Sequence, residues 1–265
     1  MSCLPPSRCL ATALLALSTL GAHAASPAPA ARLFDPVKDA DARLGPAWRT
    51  QACALLPQPC EAASLQLVRE RGEARPDGYV LLARTPLARA ELRRTADGWA
   101  LESLRDFSGY RHQSVEPGVE GELSLSPALY PLGEGRWAVA VLATVSEMYS
   151  GGGARFDRAD FVPLDAPSAS TRAVHADVPF YCSKMVRACF SEKEYKTSPH
   201  CHDESTGSLR IAYGAAARAS GDYRWDYTWI ETTWPAHRKP SAATRVATRF
   251  TDGRAGEVPF CGGPQ

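Results

Sequence analysis

Residues Arg136–Val145 read RWAVAVLATV. In an extended chain Trp137, Val139, Val141 and Ala143 fall on one face and Ala138, Ala140 and Leu142 on the other, because side chains alternate along a strand. Both sets are apolar, so the segment is predicted to be a central strand covered on both sides. A second stretch, Asp222–Trp234 (DYRWDYTWIETTW), behaves differently. It places Tyr223, Trp225, Tyr227 and Trp229 on one face, which Glu231 continues, and Arg224, Asp226 and Thr228 on the other. A strand with one row of aromatics buries that row in a core or presents it as a platform for a sugar or a protein; large aromatics favour the core.

Outward from these two, turn signals recur about every ten residues, and the segments between them are short and rich in β-branched and aromatic residues. Predicted strands cover 64–70, 79–84, 90–95, 99–104, 121–126, 136–145, 160–164, 172–178, 208–215, 223–233 and 244–251. The Asp97-Gly98 dipeptide predicts a tight hairpin with positive φ at both central residues. Upstream, DPVKDADARLGP carries Asp35 as an N-cap, Pro36 at the first helical position and Gly45-Pro46 as a stop, with a further helical turn from Trp48 to Leu56. The fold class that follows is mainly β: antiparallel sheets in sandwich- or barrel-like meanders, with a short N-terminal helical segment.

The first residues, MSCLPPSRCLATALLALSTLGAHAAS, join a positive charge at Arg8, an apolar run from Leu10 to Leu20 and the small-residue site Ala22-His23-Ala24. That is the pattern of a secretory leader over 1–24. Its apolar run is shorter than the roughly 20 residues needed to cross a bilayer, and no later stretch is long and apolar enough. A flexible lead over 25–32 precedes a first unit, 33–165, with the helical segment and one meander. A second, cysteine-rich meander spans 171–261. The small-residue stretch DAPSAS (Asp165–Ser170) marks either a boundary or a long loop within one continuous domain. Two segments, one beginning GELSLSP at Gly121 and one beginning GSLRIAY at Gly207, share a strand, glycine loop and aromatic-led strand, so they read as similar meanders.

Of eight cysteines, Cys3 and Cys9 lie in the leader, leaving Cys53, Cys60, Cys182, Cys189, Cys201 and Cys261. An even set in an exported chain points to disulfides. Cys53 and Cys60 enclose a proline-containing loop and are expected to pair. VPFYC and VPFC both read as strand ends, which suggests Cys182–Cys261 and leaves Cys189–Cys201. A formal net charge of +1 provides no field for nucleic acid. Arginine far outnumbers lysine, 25 to 5, and with abundant alanine and proline this looks like a GC-rich bacterial bias, so the expected location is periplasmic or secreted.

Three stretches bear on chemistry. Ser198–Glu204, SPHCHDE, places His200 and His202 on one side of an extended chain and Cys201 on the other. A His-x-His pair supplies two metal ligands, but a catalytic zinc needs a third, here from His112, His175 or His237. The simpler reading is a polar loop held by a disulfide, with no cofactor. Tyr149, Gly151, Gly152, Gly153, Arg155 and Phe156 follow the most apolar strand; the glycines read as a flexible or wide hairpin connection, and without Cβ they also allow close backbone approach, so this is the candidate contact loop. The row Tyr223, Trp225, Tyr227, Trp229 is the alternative binding face. No G-x-S-x-G, S-x-x-K or H-E-x-x-H occurs.

In general character, an exported, disulfide-containing β protein without catalytic motifs resembles periplasmic inhibitors of lysozyme and immunity proteins against secreted effectors, a likeness of class that transfers no residues. The expected function is a non-enzymatic, inhibitor-type binding module recognising an envelope or secreted protein or a glycan. The alternatives are a metal-assisted hydrolase using His200 and His202, and a structural or assembly component. Titration of the exported protein with a thiol reagent under denaturing, non-reducing conditions should detect no free sulfhydryl.

Overall fold

The period-two alternation resolves into one antiparallel sheet. The computed structural model describes residues 30–72, 75–113, 122–165, 172–216, 220–251 and 258–263, with the backbone alone at 215 and 216. The leader, residues 25–29 of the lead and residues 166–170 of the boundary stretch lie outside the described residues. The strands are β1 (Arg32–Pro36), β2 (Leu65–Glu70), β3 (Gly78–Arg84), β4 (Leu87–Thr95), β5 (Gly98–Asp106) and β6 (Glu122–Gly133). They continue with β7 (Arg136–Tyr149), β8 (Gly152–Pro163), β9 (His175–Arg187), β10 (His202–Ala216), β11 (Tyr223–Trp234) and β12 (Thr244–Phe250). Three short helices, α1 (Ala40–Leu44), α2 (Trp48–Cys53) and α3 (Glu192–Thr197), complete the named elements. Among the described residues the strand order is β12-β11-β10-β9-β8-β7-β6-β1-β2-β3-β4-β5.

Each predicted strand overlaps an observed one. The unpredicted strand is β1, which joins two meanders. Its first residues pair with β6, Arg32 opposite Leu129 and Leu33 opposite Ala128. Its last three, Phe34 to Pro36, pair with Glu70, Arg69 and Val68 of β2. Asp35 and Pro36 therefore end a strand and do not begin a helix. Pairing on both edges supplies backbone partners that the local capping signal cannot, and α1 starts only at Ala40 and stops at Gly45. The hairpin near Asp97-Gly98 is also offset by one residue: Thr95 pairs with Gly98, so Ala96 and Asp97 make the turn, and Gly98 alone takes the positive φ.

Three apolar clusters divide the work of burial. Val68, Val80 and Leu82 of the first meander pack against Leu129, Val139, Val141 and Val162 of the second, with Phe34 of β1 between them. The other face of the first meander, including Leu81, Ala90 and Leu92, is covered by α2 through Trp48, which is almost wholly buried. The second meander coils on itself: Gly133 at the end of β6 bridges to Asp222 beside β11, and Trp225 Nε1 donates to Pro131 O at 3.0 Å. Its interior holds Tyr130, Phe156, Phe161, Trp225, Tyr227 and Trp229. RWAVAVLATV is thus covered on both sides, with Val139 and Val141 facing the first meander and Ala138 and Ala140 facing the coil.

Three disulfides fasten this frame: Cys53–Cys60, Cys182–Cys261 and Cys189–Cys201. The second ties β9 to the segment 258–263, whose Val258, Phe260 and Cys261 join the interior of the coil. Strands β8 and β9, on either side of DAPSAS, pair directly, for example Arg155 with Ser183. The sheet therefore continues from β8 to β9, and β1 is the strand that joins its two halves.

One cross-strand row inside the coil is tightly constrained: Phe156, Cys182, Gly207 and Glu231 lie opposite one another on β8, β9, β10 and β11. A Cβ on Gly207 would sit 2.1 Å from Trp229 Cζ2 and 2.8 Å from Cys182 Sγ. Gly207→Ala should therefore destabilise the protein by about 1–3 kcal/mol in denaturant unfolding, the range for overpacking a filled core. Gly214→Ala, whose nearest neighbour is the flexible Arg224 side chain at 3.3 Å, should change stability by less than about 0.5 kcal/mol.

Candidate functional site

With Phe156, Cys182, Gly207 and Glu231 of β8 to β11 committed to the coil interior, the residues next to them at this end of the sheet face outward in register. The first outward row runs Ser146, Arg155, Ser183, Thr206 and Thr232 from β7 to β11. Two residues nearer the strand ends, the second row runs Met148, Gly153, Met185, Glu204 and Trp234. Together they form a shallow groove with hydroxyls on its floor, bordered by Met148, Met185, Arg155 and Glu204. The groove brings the glycine stretch and the end of SPHCHDE onto one surface.

The glycine stretch is a tight two-residue hairpin, narrower than the wide connection that its three glycines allow. Ser150 and Gly151 connect β7 to β8, and Gly152 and Gly153 are strand residues. The space their missing Cβ atoms leave is taken by the protein itself. A Cβ on Gly152 would lie 1.9 Å from Met185 O, and one on Gly153 2.8 Å from Met148 Sδ. Met148 thus lies across Gly153 and is 85% exposed, while Met185 and Tyr149 are 43% and 40% exposed. Arg155 faces outward and donates to the buried Asp157 carboxylate at 3.0 Å. Phe156 does not belong to this surface. It is core, packed 5.4 Å from Phe260, because the pleat turns it to the opposite face from Arg155.

The aromatic row lies inside the coil. Trp225, Tyr227 and Trp229 are buried, and the half-buried Tyr223 packs against the same cluster. Trp229 Nε1 donates to Glu231 Oε2 at 2.9 Å, and the same oxygen accepts the Cys261 amide at 3.1 Å. Glu231 is thereby a structural acceptor, and none of the three rings is available as a platform.

SPHCHDE is pinned along its length. α3 opens with a capping box in which Ser191 and Glu194 satisfy each other's backbone amides. Beyond that helix, His200 O accepts from Ser198 Oγ at 2.7 Å and from the His237 amide at 2.8 Å. Cys201 O accepts from the Ala188 amide at 2.8 Å, its sulfur is bonded to Cys189, and Asp203 Oδ1 accepts from the Ala236 amide at 2.8 Å. The His200 ring stacks on Trp234, with centroids 3.5 Å apart and planes 3° from parallel. Trp234 is itself fixed by its Nε1 donating to Arg238 O. His200, His202 and Glu204 each bring a ligand-type atom within 4.8 Å of the other two. The third member comes from SPHCHDE itself. None of the three histidines expected from sequence supplies it: His112 lies in the interior, His175 stacks on Trp225, and His237 Nδ1 is engaged with Ser198 Oγ at 3.0 Å. Period-two spacing, His200-x-His202-x-Glu204, was the available signal.

A buried acid–base cluster lies elsewhere. Asp160 on β8 is fully buried and accepts from Tyr110 Oη at 2.8 Å, the Gln113 amide at 2.8 Å and the Asp177 amide at 2.7 Å. His112 Nε2 is 3.1 Å from Val141 O and 3.7 Å from Asp160 Oδ1. These contacts lock the segment after β5 against β7 and β8, with His112 and Asp160 buried at their centre. Burial holds the His112 pKa below its ordinary value, against the opposing pull of Asp160, and burial raises that of Tyr110. No protein-family model, curated protein or solved structure matches this chain, so the site is read from its own geometry.

The folded state keeps His112 neutral where the unfolded chain takes up a proton. The stability linked to this group is fully present above about pH 6.5 and is lost as pH falls from there through the lower folded-state value. The Tm should accordingly drop between pH 7.5 and 5.5. His112→Gln should lower the Tm at pH 7.5 and flatten the slope; an unchanged slope would remove His112 from the account.

Proposed function

We propose that the protein is a non-enzymatic binding module of an oxidising compartment outside the cytoplasm, and that it recognises a protein partner through the outward groove of β7 to β10. The disulfides support the compartment, since such bonds persist where thiols are not kept reduced. No helix of the described residues is long and apolar enough to cross a membrane. One observation carries the surface: Met148 and Met185 stand exposed on either side of Gly153, on a face that also carries Ser146, Arg155, Ser183, Thr206 and Glu204. Exposed apolar groups rimmed by polar ones mark contact sites. Methionine suits that task, because its unbranched, polarisable side chain adapts to the surface it meets. A protein partner is favoured over a glycan, since the row Tyr223, Trp225, Tyr227 and Trp229 packs in the interior and methionines, with no aromatic ring, line the groove.

The rigid sheet beneath makes the surface separable from the fold. Replacing Met148 and Met185 together with Asp should abolish retention of the partner from an envelope extract, while the Tm stays within a few degrees of the parent. Lys193→Asp, on the exposed face of α3, should retain it. Equal retention by the double variant would eliminate the groove as the binding surface.

A further inference from the structure

We infer that His200, His202 and Glu204 form a binding site for a divalent transition-metal ion. This goes beyond the binding-module reading and does not depend on it. The two imidazoles and one carboxylate project from one strand end, with their candidate donor atoms within 4.8 Å of one another. That donor set, two histidines and a glutamate, is one that holds zinc with a coordination position left open, and its nitrogen and oxygen atoms also suit other first-row ions. Ligand atoms bound at about 2.0–2.2 Å from a common ion lie closer together than this, and rotation of the His202 and Glu204 side chains closes the difference.

An independent observation comes from His200 alone. Its side chain is only 10% exposed, and its Nε2 is shielded from solvent without a hydrogen-bond partner among the described residues. That nitrogen points toward Glu204, whose Oε1 is 3.6 Å away, too far for a hydrogen bond. A buried ring nitrogen left unsatisfied is costly, and a shared cation between it and the carboxylate removes the cost. The ring cannot readily turn elsewhere. It is stacked flat on Trp234, and its backbone carbonyl is held by Ser198 and His237.

The frame is also fixed covalently. Cys201 lies between the two histidines and points the other way, into its bond with Cys189. The disulfide removes the sulfur from the ligand set and sets the backbone from which both imidazoles project. Glu204 is 40% exposed, so the fourth position faces water at the edge of the groove. With nitrogen and oxygen donors only, Cu2+ should bind more tightly than Zn2+, and Ca2+ and Mg2+ should not compete.

The test uses the full chain, exported into an oxidising compartment without an added histidine tag and freed of metal by chelation. Isothermal titration with Zn2+ should give one equivalent at micromolar or tighter affinity, unaffected by excess Mg2+. His202→Ala and Glu204→Gln should each weaken binding by at least about tenfold, the scale on which changes around metal ligands act. His200→Ala combined with His202→Ala should abolish it. Glu192→Gln, on the exposed surface of α3, should leave it unchanged. The electron paramagnetic resonance spectrum of the Cu2+ form should show coupling to two imidazole nitrogens, falling to one in His202→Ala. If loss of the His200 ring unfolds the loop, Glu204→Gln, which keeps the side chain's shape, decides the matter with an unchanged Tm. Absence of saturable Zn2+ and Cu2+ uptake, binding retained by the double histidine variant, or a nitrogen count unaltered in His202→Ala would overturn the inference.

Discussion

The absence of a side chain at Gly207 is the constraint on which the second meander depends. Trp229 lies across that position, and its indole donates to Glu231, while the Cys182–Cys261 disulfide passes close by. Glu231 in turn accepts the Cys261 amide, so one buried carboxylate links a core ring to the segment 258–263. An isolated buried carboxylate would be costly; two donors and a covalent tie nearby make it tolerable. The result is a coil closed from one side by Phe260, which packs on both Phe156 and Trp229.

This closure decides the chemistry of the outside. Once Phe156, Cys182, Gly207 and Glu231 face inward, strand geometry forces Arg155, Ser183 and Thr206 outward, and two residues farther on Met185 and Glu204. The candidate surface is therefore a pair of rows across four strands, fixed by the same register that packs the core. A slip of one residue would exchange the two faces of a strand entirely, and the disulfide from β9 and the bulky rings at Gly207 oppose it. The surface is preorganised for the same reason that the core is filled.

Sequence reasoning succeeded where a residue's fate follows from its own neighbours in the chain. Alternation in RWAVAVLATV and DYRWDYTWIETTW predicts both the strands and the sides they bury, because period two is a local property. It failed where the fate depends on a distant partner. Asp35-Pro36 carries a helix-start signal, yet β6 pairs with Arg32 and Leu33 and β2 with Phe34 to Pro36, which draws the whole segment into the sheet. Gly152 and Gly153 read as part of a flexible or wide connection until β9 and Met148 occupy the space above them. Proximity in sequence groups Phe156 with Tyr149 and Arg155, although the pleat separates it from Arg155. The histidine pair is legible in the sequence, but its third member is expected among distant histidines. The nearer residue lies two positions along, on the same face of the chain.

Disulfide and metal readings of SPHCHDE compete in sequence but not in three dimensions. A thiolate at Cys201 would be the strongest zinc ligand of the stretch, and an unpaired one would draw the ion to the wrong face of the strand. Bonding to Cys189 removes that competitor, and alternation then leaves His200, His202 and Glu204 together on the opposite side. The crosslink also holds the turn after α3 at a fixed distance from the end of β9, where Ala188 donates to Cys201 O. Ordering of the histidine backbone is thereby completed during folding and oxidation, so its cost would not fall on the binding of an ion. The staple is what makes a short His-x-His-x-Glu run on a strand end a plausible chelate: in a free loop the same residues would have to give up their conformational entropy to the ion.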